Sequence, residues 1–256
     1  MRVIAFVKSI LDPEAPPGAI RFEAGKAVGD VPQVLGPYEG NALELGVQIA
    51  EASQGELRVV ALGGQEQETG LRKALALGAV AAVRVDVSGG FRDPLDTAGE
   101  LKAAADALGG ADVYIFGRQA GDWDQGVTAG LFAGLSGLPY VPLVQSGEVL
   151  GAGLKLRREI PGGYEEGEIA APCVLSASNG PGTLLRLPKV KDVMLANRKP
   201  IEVREGGQAS AGFSPASLEA SVTRRAGRRI EGDLKAQAEG LAQELRRVIP
   251  GIGGGA

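Results

Sequence analysis

Histidine is absent from this 256-residue chain, and cysteine occurs once. The first absence removes the commonest general base and the commonest metal ligand. The second excludes an internal disulfide and a multi-thiolate zinc site, so Cys173 reads as a small buried side chain in the run PCVLSAS. Positive charge is not in surplus either. Lys+Arg 27 against Asp+Glu 31 leaves a formal net charge of -4, without the basic stripe of a bulk nucleic-acid binder. Long hydrophobic runs are missing as well. No window approaches the run of about 20 apolar residues that a membrane span needs, and the apolar part of MRVIAFVKSI is too short for a signal-peptide core. The expectation is a soluble, cytoplasmic protein.

What the chain does have is enough apolar residue, 44%, for a substantial core, and plenty of glycine, 40 residues, some of it in a GIGGGA tail expected to fray. Four compact apolar runs read as strands buried on both faces: RVIAFV from Arg2, ELRVVAL from Glu56, AVRVDV from Ala82 and ADVYIF from Ala111. Unbroken rather than alternating hydrophobicity is what a parallel sheet covered by helices demands. Helical periodicity fills the gaps, over Asn41 to Ser53 (Leu45, Ile49 and Ala52 inward), Thr69 to Leu77, and Pro94 to Leu108. In the last, Asp93 is the cap, Pro94 takes the first turn, and Leu95, Ala98, Leu101, Ala105 and Leu108 form the stripe. Strands alternating with helices imply right-handed βαβ units, an α/β fold with a Rossmann-like, doubly wound, mostly parallel sheet.

From Tyr140 the texture changes. GLKLRREIPGGYEEGEIAAPCVLSAS suggests two antiparallel strands turning through Pro161, Gly162 and Gly163, which complete the same domain at a sheet edge. The loop NGPGTLLRLP, Asn179 to Pro188, is expected to expose an apolar tip at Leu184 and Leu185. From about Ile201 the chain loosens through REGGQASAGFSPAS and RRAGRR, the latter read as a solvated or interface loop. It ends in an amphipathic helix with Leu234, Ala238, Leu241, Leu245 and Val248 on one stripe. That helix either packs back on the domain or embraces a partner. The division expected is an α/β nucleotide-binding domain over 1–200 and a C-terminal arm over 201–256.

The most telling stretch is FGRQAGDWDQGVTAG, Phe116 to Gly130. It follows a strand and opens a helix expected to begin near Asp124 to Gly126. In open α/β sheets ligands bind beyond the carboxyl ends of the strands, at helix N-termini. Unpaired amides there attract an anion, Gly126 lets it approach the backbone, and Thr128 offers a hydroxyl, so a nucleotide phosphate suits the turn. The stretch is neither GxxxxGK[ST] nor GxGxxG, Arg118 is the one cation beside it, and Asp122 and Asp124 are as consistent with helix capping as with Mg²⁺. Two further turns face the same end: LGPYEGNALE, Leu35 to Glu44, with Pro37 and with Tyr38 able to cover an adenine, and ALGGQEQET with Gly63 and Gly64. No nucleophile–base pair is legible, so no catalytic residue is assigned.

Taken together, RVIAFVK, VALGG, LRKALALGA, FGRQAGDWDQGVTAG, LRREIPGGYEEGEIAAPCVLSAS and VKDVMLANRKPIEV, in that order over nearly the whole chain, resemble the beta (small) subunit of electron-transfer flavoprotein. The resemblance implies a non-catalytic electron carrier that pairs with a larger alpha subunit. It implies FAD held mainly by that subunit and a structural AMP on this one. The heterodimer would take electrons from acyl-CoA and related dehydrogenases of fatty acid oxidation and pass them to a membrane quinone oxidoreductase. Carried over by position, AMP contacts fall on Phe6, on Gly36, Pro37, Tyr38 and Glu39, and on Leu62 and Gly63. They continue over Gly117, Arg118, Gln119, Ala120, Asp122, Asp124, Gln125, Gly126, Val127 and Thr128, with the phosphate on the amides of Gly126 to Thr128. The anchor loop that grips a dehydrogenase would use Ser178, Asn179, Thr183, Leu184 and Leu185, and the C-terminal arm would reach over the alpha subunit.

The chain departs from the family pattern in places. Where members usually read QAIDDDxNQTG this one has QAGDWDQGVTAG, so Gly126 and Val127 replace side-chain donors and leave the phosphate to backbone amides. Pro13 stands where many members place a tyrosine near the flavin, and no FAD contact is assigned here. The anchor loop is one residue longer, with Ser178 where a leucine often sits. Two other readings remain beside this one: a stand-alone ATP-binding sensor of the stress-protein kind, and a bifurcating flavoprotein subunit with a second FAD in place of AMP.

Overall fold

The computed structural model describes residues 1–16, 18–23, 26–87, 92–207, 212, 227 and 229–249. Most of RRAGRR, much of the stretch before it and the GIGGGA tail lie outside these residues. The chain divides into two compact units, Met1–Leu218 and Glu219–Ala256.

The first unit is built on a nine-stranded sheet. Its strands are β1 (Arg2–Phe6), β6 (Glu56–Leu62), β7 (Ala81–Asp86), β8 (Val113–Gly117), β9 (Tyr140–Leu150), β10 (Gly153–Ile160), β11 (Gly163–Ala170), β12 (Cys173–Ala177) and β13 (Glu202–Glu205). They run in the order β11-β10-β9-β12-β8-β1-β6-β7-β13. Seven neighbours from β9 to β13 are parallel, and β10 and β11 add an antiparallel edge. The turn at Pro161 and Gly162 joins that edge hairpin. Two short ribbons, β2 (Ser9–Leu11) with β5 (Gln33–Leu35) and β3 (Arg21–Glu23) with β4 (Lys26–Val28), stand outside the sheet.

The buried runs split residue by residue between two faces, as pleating requires. Val3, Ala5, Val59, Ala61, Val113, Ile115, Cys173 and Leu175 face α1 (Pro37–Ala52) and α2 (Glu68–Ala76). Ile4, Phe6, Val60, Val83, Val85, Tyr114, Phe116 and Val174 face α3 (Pro94–Ala107) and α4 (Thr128–Ser136). This is why the strands read as continuous hydrophobic runs, and each fully buried Leu, Ile or Val contributes about 1.5–3 kcal/mol. α1 begins four residues before the expected Asn41, because Pro37 occupies its first turn and fixes φ in the helical range. Leu45 and Ile49 are fully buried, but Ala52, expected inward, is exposed at the helix end. Asp93 caps α3, accepting from the Leu95 amide at 2.8 Å, while the Leu95 side chain, placed in the core stripe from sequence, is exposed beside that cap.

Cys173 lies fully buried in β12, and burial pushes its thiol up to about 11, so it is a packing residue. A seven-residue helix, α5 (Val190–Ala196), packs on α2 before β13 closes the far edge. β13 starts at Glu202, inside the stretch expected to open the arm. Both outer edges carry acid: Glu165, Glu166 and Glu168 on β11 and Glu202 and Glu205 on β13 are exposed. In the second unit, α6 (Leu234–Val248) begins at Asp233, whose side chain accepts from the Ala236 amide. Its apolar stripe, Leu234, Leu241, Leu245 and Val248, is exposed. Among the described residues no helix is long and apolar enough to cross a membrane.

Candidate functional site

The strand order reverses on either side of β1: the chain builds β6 and β7 to one side and then returns to lay β8 on the other. The crevice beyond the carboxyl ends of β1 and β8 is therefore the topological switch point, where doubly wound sheets bind ligands. Gly36 to Glu39 at the start of α1 and Gly117 to Val127 between β8 and α4 meet there. The contact between them is close. A β-carbon on Gly117 would lie 2.8 Å from the Tyr38 carbonyl carbon and 3.0 Å from the Glu39 amide nitrogen, so the end of β8 and the first turn of α1 touch through bare backbone.

Arg118 follows. Its amide donates to the Ala177 carbonyl, its guanidinium carbon sits 4.7 Å from the centre of the Tyr38 ring, and its Nη2 lies 3.3 Å from the Tyr38 hydroxyl. Tyr38, read as a cover for a base, thus carries a guanidinium on its ring, while the buried Nε of Arg118 has no hydrogen-bond partner among the described residues. Pro37 packs against Gly121, and Ala120 accepts from the Asp124 amide to close the turn.

Asp122 and Asp124 do not cap the helix. Asp122 binds Lys8, just beyond β1, at 2.6 Å, and Asp124 accepts from the Gln119 amide group at 2.7 Å. Lys8 is a second cation at this mouth that the sequence reading missed. Asp124 (φ 50) and Gly126 (φ 65) take left-handed backbone, and this delays α4 to Thr128, past the expected start at Asp124 to Gly126. No side chain caps α4. Its first amides, with those of Gly126 and Val127 in the turn, form an anion-binding nest, beside an exposed Gln125 and a half-buried Thr128. The orphaned Arg118 Nε and the uncapped α4 fit a mononucleotide phosphate.

The other expected contacts are less direct. The Phe6 ring is buried in the core, stacked on Phe116 at 4.3 Å and tilted against Phe132 at 5.2 Å. Leu62 and Gly63 end β6 on the other side of β1. There the Gly63 amide donates to Val85, its carbonyl accepts from Arg84, and the buried Gln67 ties the turn to Ser9 at 2.7 Å.

The second candidate surface is the loop after β12. Ser178 and Thr183 are fully buried: the Ser178 hydroxyl donates to Glu159, and Thr183 donates to the Ser178 carbonyl and accepts from Asn41. They hold the loop from within. Asn179 and Leu184, the latter 75% exposed, are what it presents, whereas Leu185, expected at the tip, lies half-buried against Gly40 of α1. Leu187 at 89% exposure extends the apolar surface in its stead. Arg186 fixes the loop's end, bonding Glu44 at 2.8 Å and Glu51 at 2.9 Å. Burial raises the Glu44 carboxyl, but hydrogen bonds from Arg186 and Gln48, with the guanidinium charge, hold it below its ordinary value.

Comparison with known proteins identifies the family. Residues 27–207 match the family model described as electron transfer flavoprotein domain. The electron transfer flavoprotein subunit beta of Thermoanaerobacterium thermosaccharolyticum is 30% identical over 236 residues, 86% of this chain and 89% of that protein. The subunit beta of Syntrophomonas wolfei is 27% identical over 97% of each chain. A protein of Acetobacterium woodii named caffeyl-CoA reductase-Etf complex subunit CarD is 29% identical over 87% of this chain and 85% of its own length. A family match over residues 27–207, with beta subunits aligned over 86% and 97% of the chain, places it in the electron transfer flavoprotein family.

Proposed function

We propose that this chain is the small subunit of a heterodimeric electron-transfer flavoprotein and carries a structural AMP at the β1/β8 switch point. The observation behind the AMP site is the uncapped start of α4 beside the left-handed Gly126 and the unpartnered Nε of Arg118. Backbone amides of Gly126 to Thr128 would take the phosphate, and Arg118 and Lys8 supply positive charge at the mouth. The FAD shared with the larger alpha subunit supplies the redox chemistry when bound. This chain's residues hold the nucleotide, shape the cleft and dock partners; none is assigned a catalytic role.

Leu184 and Leu187, exposed on a loop braced by Thr183 and Arg186, suit an apolar anchor for a dehydrogenase. A relative named for a caffeyl-CoA reductase complex supports acyl-CoA-type enzymes as those partners. The exposed stripe of α6 suits the alpha subunit, with the residues beyond β13 as the arm, and a membrane quinone oxidoreductase is the acceptor we assign. The setting is the cytoplasm.

Tagged purification from the native cell tests the reading. The expected result is a yellow one-to-one complex with a larger subunit that releases FAD and AMP on denaturation. Two FAD and no AMP would move the chain to the bifurcating form. A colourless, partnerless chain releasing ATP or nothing would overturn the assignment.

A further inference from the structure

Glu39, carried over as an AMP contact, holds an acidic side chain at this mouth whose part the geometry has not yet assigned. It is 6% exposed, and its Oε2 has no hydrogen-bond partner among the described residues. It stands on the third residue of α1, pressed against Gly117 through its own amide, with its carboxyl folded back over Gly36. A β-carbon on Gly36 would fall 2.0 Å from Oε2, so the glycine leaves the space this carboxyl fills. The charges that act on it are Lys8, beyond β1, and Asp122, in the loop after β8; Arg118 faces the neighbouring Tyr38. A buried carboxyl with one oxygen left unpartnered is costly when ionised and tolerable when neutral. Burial pushes Glu39 up to about 7, with its own amide and Lys8 pulling down and Asp122 pushing up.

We propose that Glu39 couples nucleotide binding at the β1/β8 mouth to protonation, its neutral form being the one that accepts a nucleoside monophosphate. This rests on the AMP reading above. Two consequences of ionisation oppose the ligand. A negative charge appears in the crevice that receives an anion. It also competes with Asp122 for Lys8, and that ion pair is what ties the phosphate-binding loop to the end of β1. The ligand's own titration runs the other way, since a phosphate monoester gains its second charge near pH 6 and binds cations better above it. A fall in affinity at higher pH therefore points to the protein.

The test uses the purified complex containing this chain, with AMP as the probe, dialysed to equilibrium at about pH 6 and about pH 8.5 and assayed for bound AMP. If the proton affinity of Glu39 differs by about one pKa unit between the bound and free states, nucleotide affinity changes about tenfold. Wild type should bind about tenfold more weakly at the higher pH, and Glu39→Gln should bind equally well, or better, there. Asp122→Asn, which frees Lys8 for Glu39, should move the fall to lower pH. Identical pH profiles for wild type and Glu39→Gln would overturn the coupling while leaving the AMP site standing. AMP absent from wild type and Glu39→Gln at both pH values would overturn the AMP reading, and the coupling with it.

Discussion

At the scale of single residues, two buried acids carry opposite pH signatures. Glu39 holds its proton in the folded chain up to about 7, from an ordinary value of 4.5. Between those limits the unfolded chain has released a proton that the folded chain retains, so stability falls as pH rises through the window and levels off above it. Glu39→Gln should remove this loss: urea unfolding at about pH 8 should give a difference from wild type on the order of 3 kcal/mol more favourable than at about pH 4. Glu44 is held below its ordinary value by Arg186, so its contribution is present at neutral pH and lost on acidification. Arg186→Met should strand that buried carboxylate and cost about 2 kcal/mol, less than for a fully buried pair because Arg186 is 40% exposed, read as a lower thermal midpoint at neutral pH that narrows in acid. Cys173 was readable as a core residue from its apolar neighbours. Lys8 and Glu39 were not. The Lys8 partner lies 114 positions away, and an acid in a helix's first turn reads as ordinary dipole matching, so its burial under Gly117 left no local trace.

At the scale of elements, the strands that cross the core were legible and the turns that shape the site were not. β6 coincides with the run expected for it, because a strand covered on both faces must be apolar throughout. The start of α4 was placed too early because Asp124 and Gly126 adopt left-handed backbone, a choice made by packing against Arg118 and Gln119 rather than by composition. The three-residue strands β2 and β5 are too short to show a period at all. Gly126→Ala should lose about 1–2 kcal/mol from its φ of 65 and release AMP more readily than wild type, measured by nucleotide content after gel filtration. Gly117→Ala should do more. Its β-carbon meets backbone of α1 at 2.8 Å, so the first turn of that helix must retreat, with an expected cost of about 1–3 kcal/mol in denaturant unfolding.

At the scale of the whole chain, the unit Met1–Leu218 contains the entire sheet and both helical layers. A chain ending at residue 218 should therefore unfold cooperatively with the parallel-sheet circular dichroism of the full protein while failing to recover the yellow complex with the alpha subunit. A truncated chain that is unfolded would show that the final residues belong to the fold rather than to a partner. The doubly wound class was legible from the alternation of strands and helices, and the fate of the last helix was not, since an amphipathic stripe reads alike whether it meets its own domain or another chain. The sheet's two ends add a property of the protein in bulk. An open sheet of nine strands is a template for endless growth, because each free edge offers unpaired amides and carbonyls to the next molecule. Among the described residues both edges carry exposed glutamates, Glu165 and Glu166 paired with Arg158 and Lys155 of the next strand and Glu202 with Arg204, so two copies meeting edge to edge would have to break these pairs or bring like charges together. Fibril formation should be suppressed at neutral pH and released in acid or at high salt, which makes the acidic borders a safeguard of solubility while a newly made chain awaits its companion.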